Sequence, residues 1–362
     1  MARTLKAALV LVLLVLVHSA QAQGGNSSRA YFVLGDSLVD PGNNNYIFSL
    51  ARANWPPNGI DFSLGATGRF CNGRTVVDVF SEILNTSYIP PYMDPSTRGA
   101  AILGGVNFAS AAAGILNETG ADYLGRITLN QQLEQFRDIR QQFIRQLGAH
   151  GATKALNKAI YFFVVGGNDY INNYLQPNSV THNQYTSAEF ARLVVSQFSR
   201  QLVEMYHMGA RKIFVSNAGP LGCTPEQIAM HLSLDGNCIA VVNDYVREFN
   251  GLLRHELINL TGRLPGSTIL YGNAYDLVYD RAVNPSRYGL TVINRGCCGA
   301  GLYNGMAPCF SSFTPCANRS EYLFWDLFHP TDAVNVQLAK SYFYGNESAI
   351  SPMNIQQLVA LD

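Results

Sequence analysis

Charge is scarce in this chain. Only 14% of its 362 residues are Asp, Glu, Lys or Arg, and the 25 basic residues are matched by 25 acidic ones. No basic run is present that could neutralise a phosphate backbone, which argues against nucleic acid as a partner. No internal repeat or low-complexity linker occurs, which argues against a solenoid and against a long disordered tail. Beyond the N-terminus there is no apolar run long enough to cross a bilayer as a helix, which takes about 20 residues. Histidine is also sparse, with seven in all. A catalytic histidine therefore has to be sought among very few candidates.

What is present begins with an export pattern. Arg3 and Lys6 precede the apolar run Ala7 to Val17, and Ala20-Gln21-Ala22 has the small-x-small form of a cleavage site. Residues 1–22 are expected to be a secretory signal peptide, and 23–362 a single domain. A retained membrane anchor is the alternative, but the run is short for it. An exported chain folds under oxidising conditions, so its cysteines are expected in disulfides. They are Cys71, Cys223, Cys238, Cys297, Cys298, Cys309 and Cys316. Cys223 and Cys238 bracket a short loop and form a plausible pair. An odd count leaves at least one thiol outside intrachain pairs. A zinc site in the cluster 297–316 is the competing reading, but no histidine stands at finger spacing. Asn-x-Ser/Thr sequons at Asn26, Asn85, Asn117, Asn259, Asn318 and Asn346 suggest a glycoprotein.

Short β-rich runs alternate with longer helical patterns. Strands are expected at Ala30–Leu34, Val106–Phe108, Ala159–Val165, Lys212–Ser216 and Thr268–Leu270. Helices are expected over Leu129–Leu147, from the capping box Thr186-x-x-Glu189 onward, and over Ile239–Leu260. The alternation predicts an α/β fold with a mainly parallel sheet covered on both faces. In such sheets, ligands collect outside the carboxyl ends of the strands.

The stretch "YFVLGDSLVDPGNNN" runs from the first strand straight into Gly35, Asp36 and Ser37. Small polar residues often do no more than end a strand. A serine at that rim is nonetheless well placed for chemistry, provided that a base can take its proton. Of the histidines after residue 22, His207 and His255 lie in helical, charged surroundings. His150, His182 and His231 lie in loop-like polar stretches with no acid at a suitable spacing. His329 is different, because it sits in "FWDLFHPTD" three residues after Asp326. A carboxylate at that spacing can fold back in one turn and accept the Nδ1–H, leaving Nε2 for a nucleophile. Pro330 stiffens the loop, and Trp325 and Phe328 offer apolar anchors.

An oxyanion also needs donors. In "FFVVGGNDYINN", Gly166 and Gly167 allow close backbone approach at a strand end, and Asn168 follows. Asn168 offers a side-chain amide, or else simply an Asx-turn. The small-residue run Ala109 to Gly114 suits a backbone that approaches a ligand. No Gly-x-Ser-x-Gly elbow occurs.

Taken in order, "GDSLVD", "VNFASAAAGI", "VVGGNDY" and "DLFHP" resemble the blocks of the GDSL esterase/lipase family, a branch of the SGNH hydrolases, in its secreted plant form. "PGNNNY", "GRFCNGRT", "LGCTP", "GCCGAG" and "FWDLFHPTDAVN" agree, from about Tyr31 to Tyr344. The resemblance implies a three-layer α/β/α, flavodoxin-like sheet and a serine ester hydrolase without cofactor or metal. It implies Ser37 as nucleophile, His329 as base and acid, Asp326 as the orienting carboxylate, and Asn168, Ala112 and the Ser37 N–H as the oxyanion hole. It further implies an acyl ester substrate, from a lipid or a cell-wall polymer, and an extracellular location. Many members carry glycines where this chain has Ala111-Ala112, which suggests a more open, less strained site. An acyltransferase using the same residues is the alternative; a non-catalytic lipid or carbohydrate binder is another. Trp55 to Phe62 and the cysteine-rich loop are candidate pocket walls.

Overall fold

The computed structural model describes residues 29–361, so the export pattern and Asn26 lie outside the described residues. Six strands form the main sheet: β1 (Tyr31–Gly35), β2 (Gly105–Asn107), β3 (Ile160–Val164), β4 (Lys212–Ser216), β5 (Thr268–Gly272) and β8 (Ile350–Ser351). Their order is β2-β1-β3-β4-β5-β8, parallel throughout except for β8 at the edge. The first five strands follow the flavodoxin-like order, whose switch point lies between β1 and β3. The expected strands match these to within a residue or two at their ends. A separate parallel pair, β6 (Val292–Gly296) with β7 (Tyr322–Phe324), was not expected from the sequence.

Alternation along β1 explains the layering. Phe32 and Leu34 join one core cluster, while Tyr31 and Val33 join another on the opposite face. The first face is covered by α2 (Leu129–Lys158), α3 (Ser187–His207) and α5 (Ala240–Arg263), which supply Phe136, Phe198 and Phe249. The second is covered by α1 (Val76–Ile83), α6 (Ala274–Val283) and α7 (Asp332–Tyr344), which supply Phe80, Val278 and Leu338. Both faces of the sheet are thus dry, as parallel sheets require. A short helix, α4 (Pro225–Met230), follows β4.

Helix α2 passes the expected end at Leu147 because Gly148, at φ +71°, kinks the chain instead of ending it. The capping box at Thr186 forms as expected: the Thr186 N–H donates to Glu189 at 2.9 Å, and the Glu189 N–H to Thr186 Oγ1 at 3.4 Å. Three disulfides are present, Cys223–Cys238, Cys297–Cys316 and Cys298–Cys309, so the cysteine cluster is taken up in pairs rather than in a zinc site. Cys71 is free and buried, and burial pushes its thiol pKa up. Among the described residues, no helix is long and apolar enough to cross a membrane.

Candidate active site

Strand β1 delivers Ser37 to the carboxyl rim of the sheet. Gly35 permits this, because a Cβ there would lie 2.3 Å from the Val164 carbonyl oxygen of β3. The Asp36 N–H then donates to that same carbonyl at 3.1 Å. Buried Gln132 of α2 clamps the strand end: it accepts from the Gly35 N–H at 2.8 Å and donates to the Gly35 carbonyl at 2.9 Å. Gln132 was not singled out in the sequence, since a glutamine inside a helical pattern carries no local signal.

His329 comes from a tight turn after β7. The Trp325 N–H donates to the His329 carbonyl at 2.7 Å, which closes the turn. Asp326 Oδ1 accepts from the backbone N–H groups of Phe328 and His329, both at 2.9 Å. The Asp326 carboxylate also lies 2.8 Å from His329 Nδ1, and His329 Nε2 lies 2.7 Å from Ser37 Oγ. Asp326 and His329 are buried, while Ser37 is partly open to the cleft. Trp325 is fully buried and donates from Nε1 to Asn58 Oδ1 at 2.9 Å, and the Phe70 ring lies 5.1 Å from the His329 ring. Of the other histidines, His150 proves to be helical and His182 sits in a short helical turn, not in loops.

The three expected donors line the same cleft as Ser37. Asn168 Nδ2 donates to the Ala113 carbonyl at 2.9 Å, and its Oδ1 accepts from Asn172 Nδ2 at 2.7 Å. Both ends of the amide are therefore oriented, and one Nδ2 proton remains uncommitted among the described residues. The N–H groups of Ser37 and Ala112 likewise have no partner there, whereas the Ala111 N–H is taken by Asp40 at 3.1 Å. Ala112 has φ +66°, a region costing an L-residue about 1–2 kcal/mol. This corrects the expectation of a less strained site: the backbone keeps the left-handed turn that glycine would favour, and alanine bears it.

The asparagine run supports this loop. Asn43 Nδ2 donates to the carbonyls of Asn107 and Ala109 at 2.9 and 2.8 Å, and Asn44 Nδ2 to those of Ala51 and Ala111 at 2.8 and 3.1 Å. From sequence, "PGNNNY" was one of the segments that carry the family resemblance, with no role for its asparagines. In the fold, two of its amides fix the small-residue loop beside Ser37. Three buried carboxylates complete the frame, and burial raises the pKa of each: Asp36 to about 7, Asp40 and Asp169 to about 6. Asp169 accepts from the N–H groups of Ile115 and Leu116 at 2.8 and 2.9 Å.

The pattern of the GDSL-like lipase/acylhydrolase family matches residues 31–341, almost the whole described chain. The chain belongs to that family. GDSL esterase/lipase 7 of Arabidopsis thaliana is 43% identical over 367 residues, covering 99% of this chain and 100% of the relative. Another GDSL esterase/lipase of that plant is 44% identical over 333 residues, covering 92% and 89%. The chain is accordingly a carboxylic ester hydrolase, a GDSL esterase/lipase by type.

The cleft of this GDSL hydrolase has a volume of about 480 Å³. Its aromatic walls are Trp55, Phe70, Tyr123, Phe310 and Phe328. Of the two expected wall segments, the first contributes Trp55 and Asn58, and the cysteine-rich loop contributes Pro308 to Phe310. Trp55 Nε1 joins the two by donating to the Cys309 carbonyl at 3.2 Å.

Proposed function

We propose that this GDSL hydrolase is a secreted serine esterase that works through an acyl-enzyme. Ser37 Oγ attacks the ester carbonyl carbon while His329 Nε2 takes its proton. Asp326 holds the Nδ1–H and balances the imidazolium. The developing oxyanion is received by the N–H groups of Ser37 and Ala112 and by Asn168 Nδ2. His329 then gives its proton to the departing alcohol. Water, deprotonated by the same ring, attacks the acyl-enzyme, and Ser37 is released with the free acid.

The observation that carries this reading is the pair of contacts at His329, 2.7 Å to Ser37 Oγ and 2.8 Å to Asp326. The test is fluorophosphonate labelling combined with ester turnover. Wild type should acquire one adduct, on the peptide containing Ser37, and Ser37→Ala should lose both label and turnover. Turnover by Ser37→Ala equal to wild type would overturn the assignment, and would reopen the non-catalytic reading of the site.

Transfer of the acyl group to an alcohol would use the same residues, with the acceptor in place of water. Product analysis with a hydroxy-fatty-acyl acceptor separates the two: free acid supports hydrolysis, oligomers without free acid support transfer. Export as a single hydrolase domain, residues 23–362, is supported by the three disulfides, since such bonds persist in oxidising compartments. It is also supported by the exposure of Asn85, Asn117, Asn259, Asn318 and Asn346, which leaves each sequon open to glycosylation.

A further inference from the structure

One arginine and no lysine line the catalytic cleft: the arginine is Arg52. Its backbone is firmly held. Ala51 and Ala53 on either side are buried, the Ala51 carbonyl accepts from Asn44, and the Ala51 N–H donates to Ser49 Oγ at 3.0 Å. Its guanidinium is not fully used. Nη2 donates to the Ile47 carbonyl, and Nη1 has no hydrogen-bond partner among the described residues. Among the described residues, Arg52 takes part in no ion pair.

The neighbouring arginines differ. Arg69 is paired with Asp78 at 2.7 Å, and Arg74 with Asp332 at 2.8 Å. The fold therefore gives Arg69 and Arg74 a carboxylate each but leaves the arginine on the cleft wall without one. The other charges of the lining do not fill that role: Asp326 is turned to His329, and Asp122 stands exposed without contacting Arg52. An arginine held with spare donors in a partly enclosed, aromatic-walled cleft suits a planar anion bound in two-pronged fashion.

We propose that Arg52 forms a carboxylate-binding subsite of the catalytic cleft, so that the substrate is an ester that also carries a free carboxylate. This rests on the serine esterase reading above and narrows its substrate class. The carboxylate can belong to the acid half or to the alcohol half of the ester, and paired probes separate these sources. Mono(4-nitrophenyl) glutarate against 4-nitrophenyl pentanoate places the charge on the acyl side. 4-Acetoxybenzoate against 4-methylphenyl acetate places it on the alcohol side.

In Arg52→Met, kcat/KM for the charged member of one pair should fall by about tenfold more than for its neutral partner, the size of one charge-assisted hydrogen bond lost. The loss should lie mainly in KM, because the contact is remote from the reacting bond. Arg52→Lys should restore part of it, keeping charge without the fork. An equal fall for charged and neutral esters in both pairs would overturn the proposal, because a residue that merely props the Ile47 carbonyl would behave that way. Wild type supplies a second measurement that needs no variant. Its charged-to-neutral kcat/KM ratio should drop as ionic strength rises from about 10 mM to about 500 mM, and a flat ratio overturns the proposal. Ser37→Ala abolishes turnover of all four esters if the esterase reading is right, so failure of that reading is distinct from failure of the subsite.

Discussion

Ser37 Oγ and His329 Nε2 lie 2.7 Å apart although 292 positions separate them in the chain. Each is positioned by its own set of hydrogen bonds. Ser37 stands one turn past β1, at the switch point of the sheet, and Gln132 pins the strand end from below. His329 closes a five-residue turn whose inner hydrogen bonds are accepted by Asp326. Neither set depends on the other, so each half of the pair can be probed separately.

Asp326→Asn should leave the turn folded, because an amide oxygen still accepts the two backbone N–H groups. It cannot hold the Nδ1–H as a carboxylate does, and it favours the wrong tautomer. The expected drop in kcat is about 10⁴-fold, by analogy with the Ser-His-Asp template, with the melting transition close to wild type. Near-full kcat in steady-state ester hydrolysis would remove Asp326 from the mechanism.

Ala112→Gly should stabilise the protein. The left-handed φ of +66° costs alanine about 1–2 kcal/mol, while glycine pays about 0.5–1 kcal/mol in unfolded-chain entropy. The net gain is about 0–1.5 kcal/mol, visible as a higher denaturant midpoint with an unchanged slope. Ala112→Val should move the midpoint the other way. A lower midpoint for the glycine variant would contradict the strain argument.

Asp36 gives the stability a pH dependence. Burial raises its pKa from 3.8 to about 7, so the native state holds the proton more tightly than the unfolded chain. Its contribution is complete below the unfolded pKa and is lost as pH rises from about 4 to about 7, since ionisation then favours unfolding. The native minus unfolded gap corresponds to a difference on the order of 4 kcal/mol at most. Asp36→Asn removes the titration. Chemical unfolding at several pH values should show wild type losing stability relative to the variant across that window, and parallel curves would refute the effect.

The disulfide Cys298–Cys309 closes a short loop whose residues Pro308 to Phe310 wall the cleft. Replacing both cysteines with serine should cost about 2–4 kcal/mol through a freer unfolded chain. It should also raise KM for esters that reach Phe310, while kcat for a short acetyl ester changes far less. Thermal melting and a chain-length series of esters read the two effects. An unchanged KM for every ester would separate this loop from substrate binding.

Features carried by residues close together in the chain were legible without the fold. Short, continuous apolar runs placed the five parallel strands, because a strand buried on both faces has to be apolar throughout. The spacing of Asp326 and His329 was readable because three residues span one turn. Cys223 and Cys238 could be paired because the loop between them is short. Features that depend on distant partners emerged with the folded chain alone. Gln132 clamps β1 from a helix 97 positions away, and Asn44 holds Ala111 from 67 positions away. A polar side chain in a helix or a turn looks the same in sequence whether it meets water or a buried carbonyl. The left-handed φ of Ala112 belongs to the same class, since nothing local requires it. It is imposed by the carbonyls and amides packed around the loop, and those arrive only when the chain has folded.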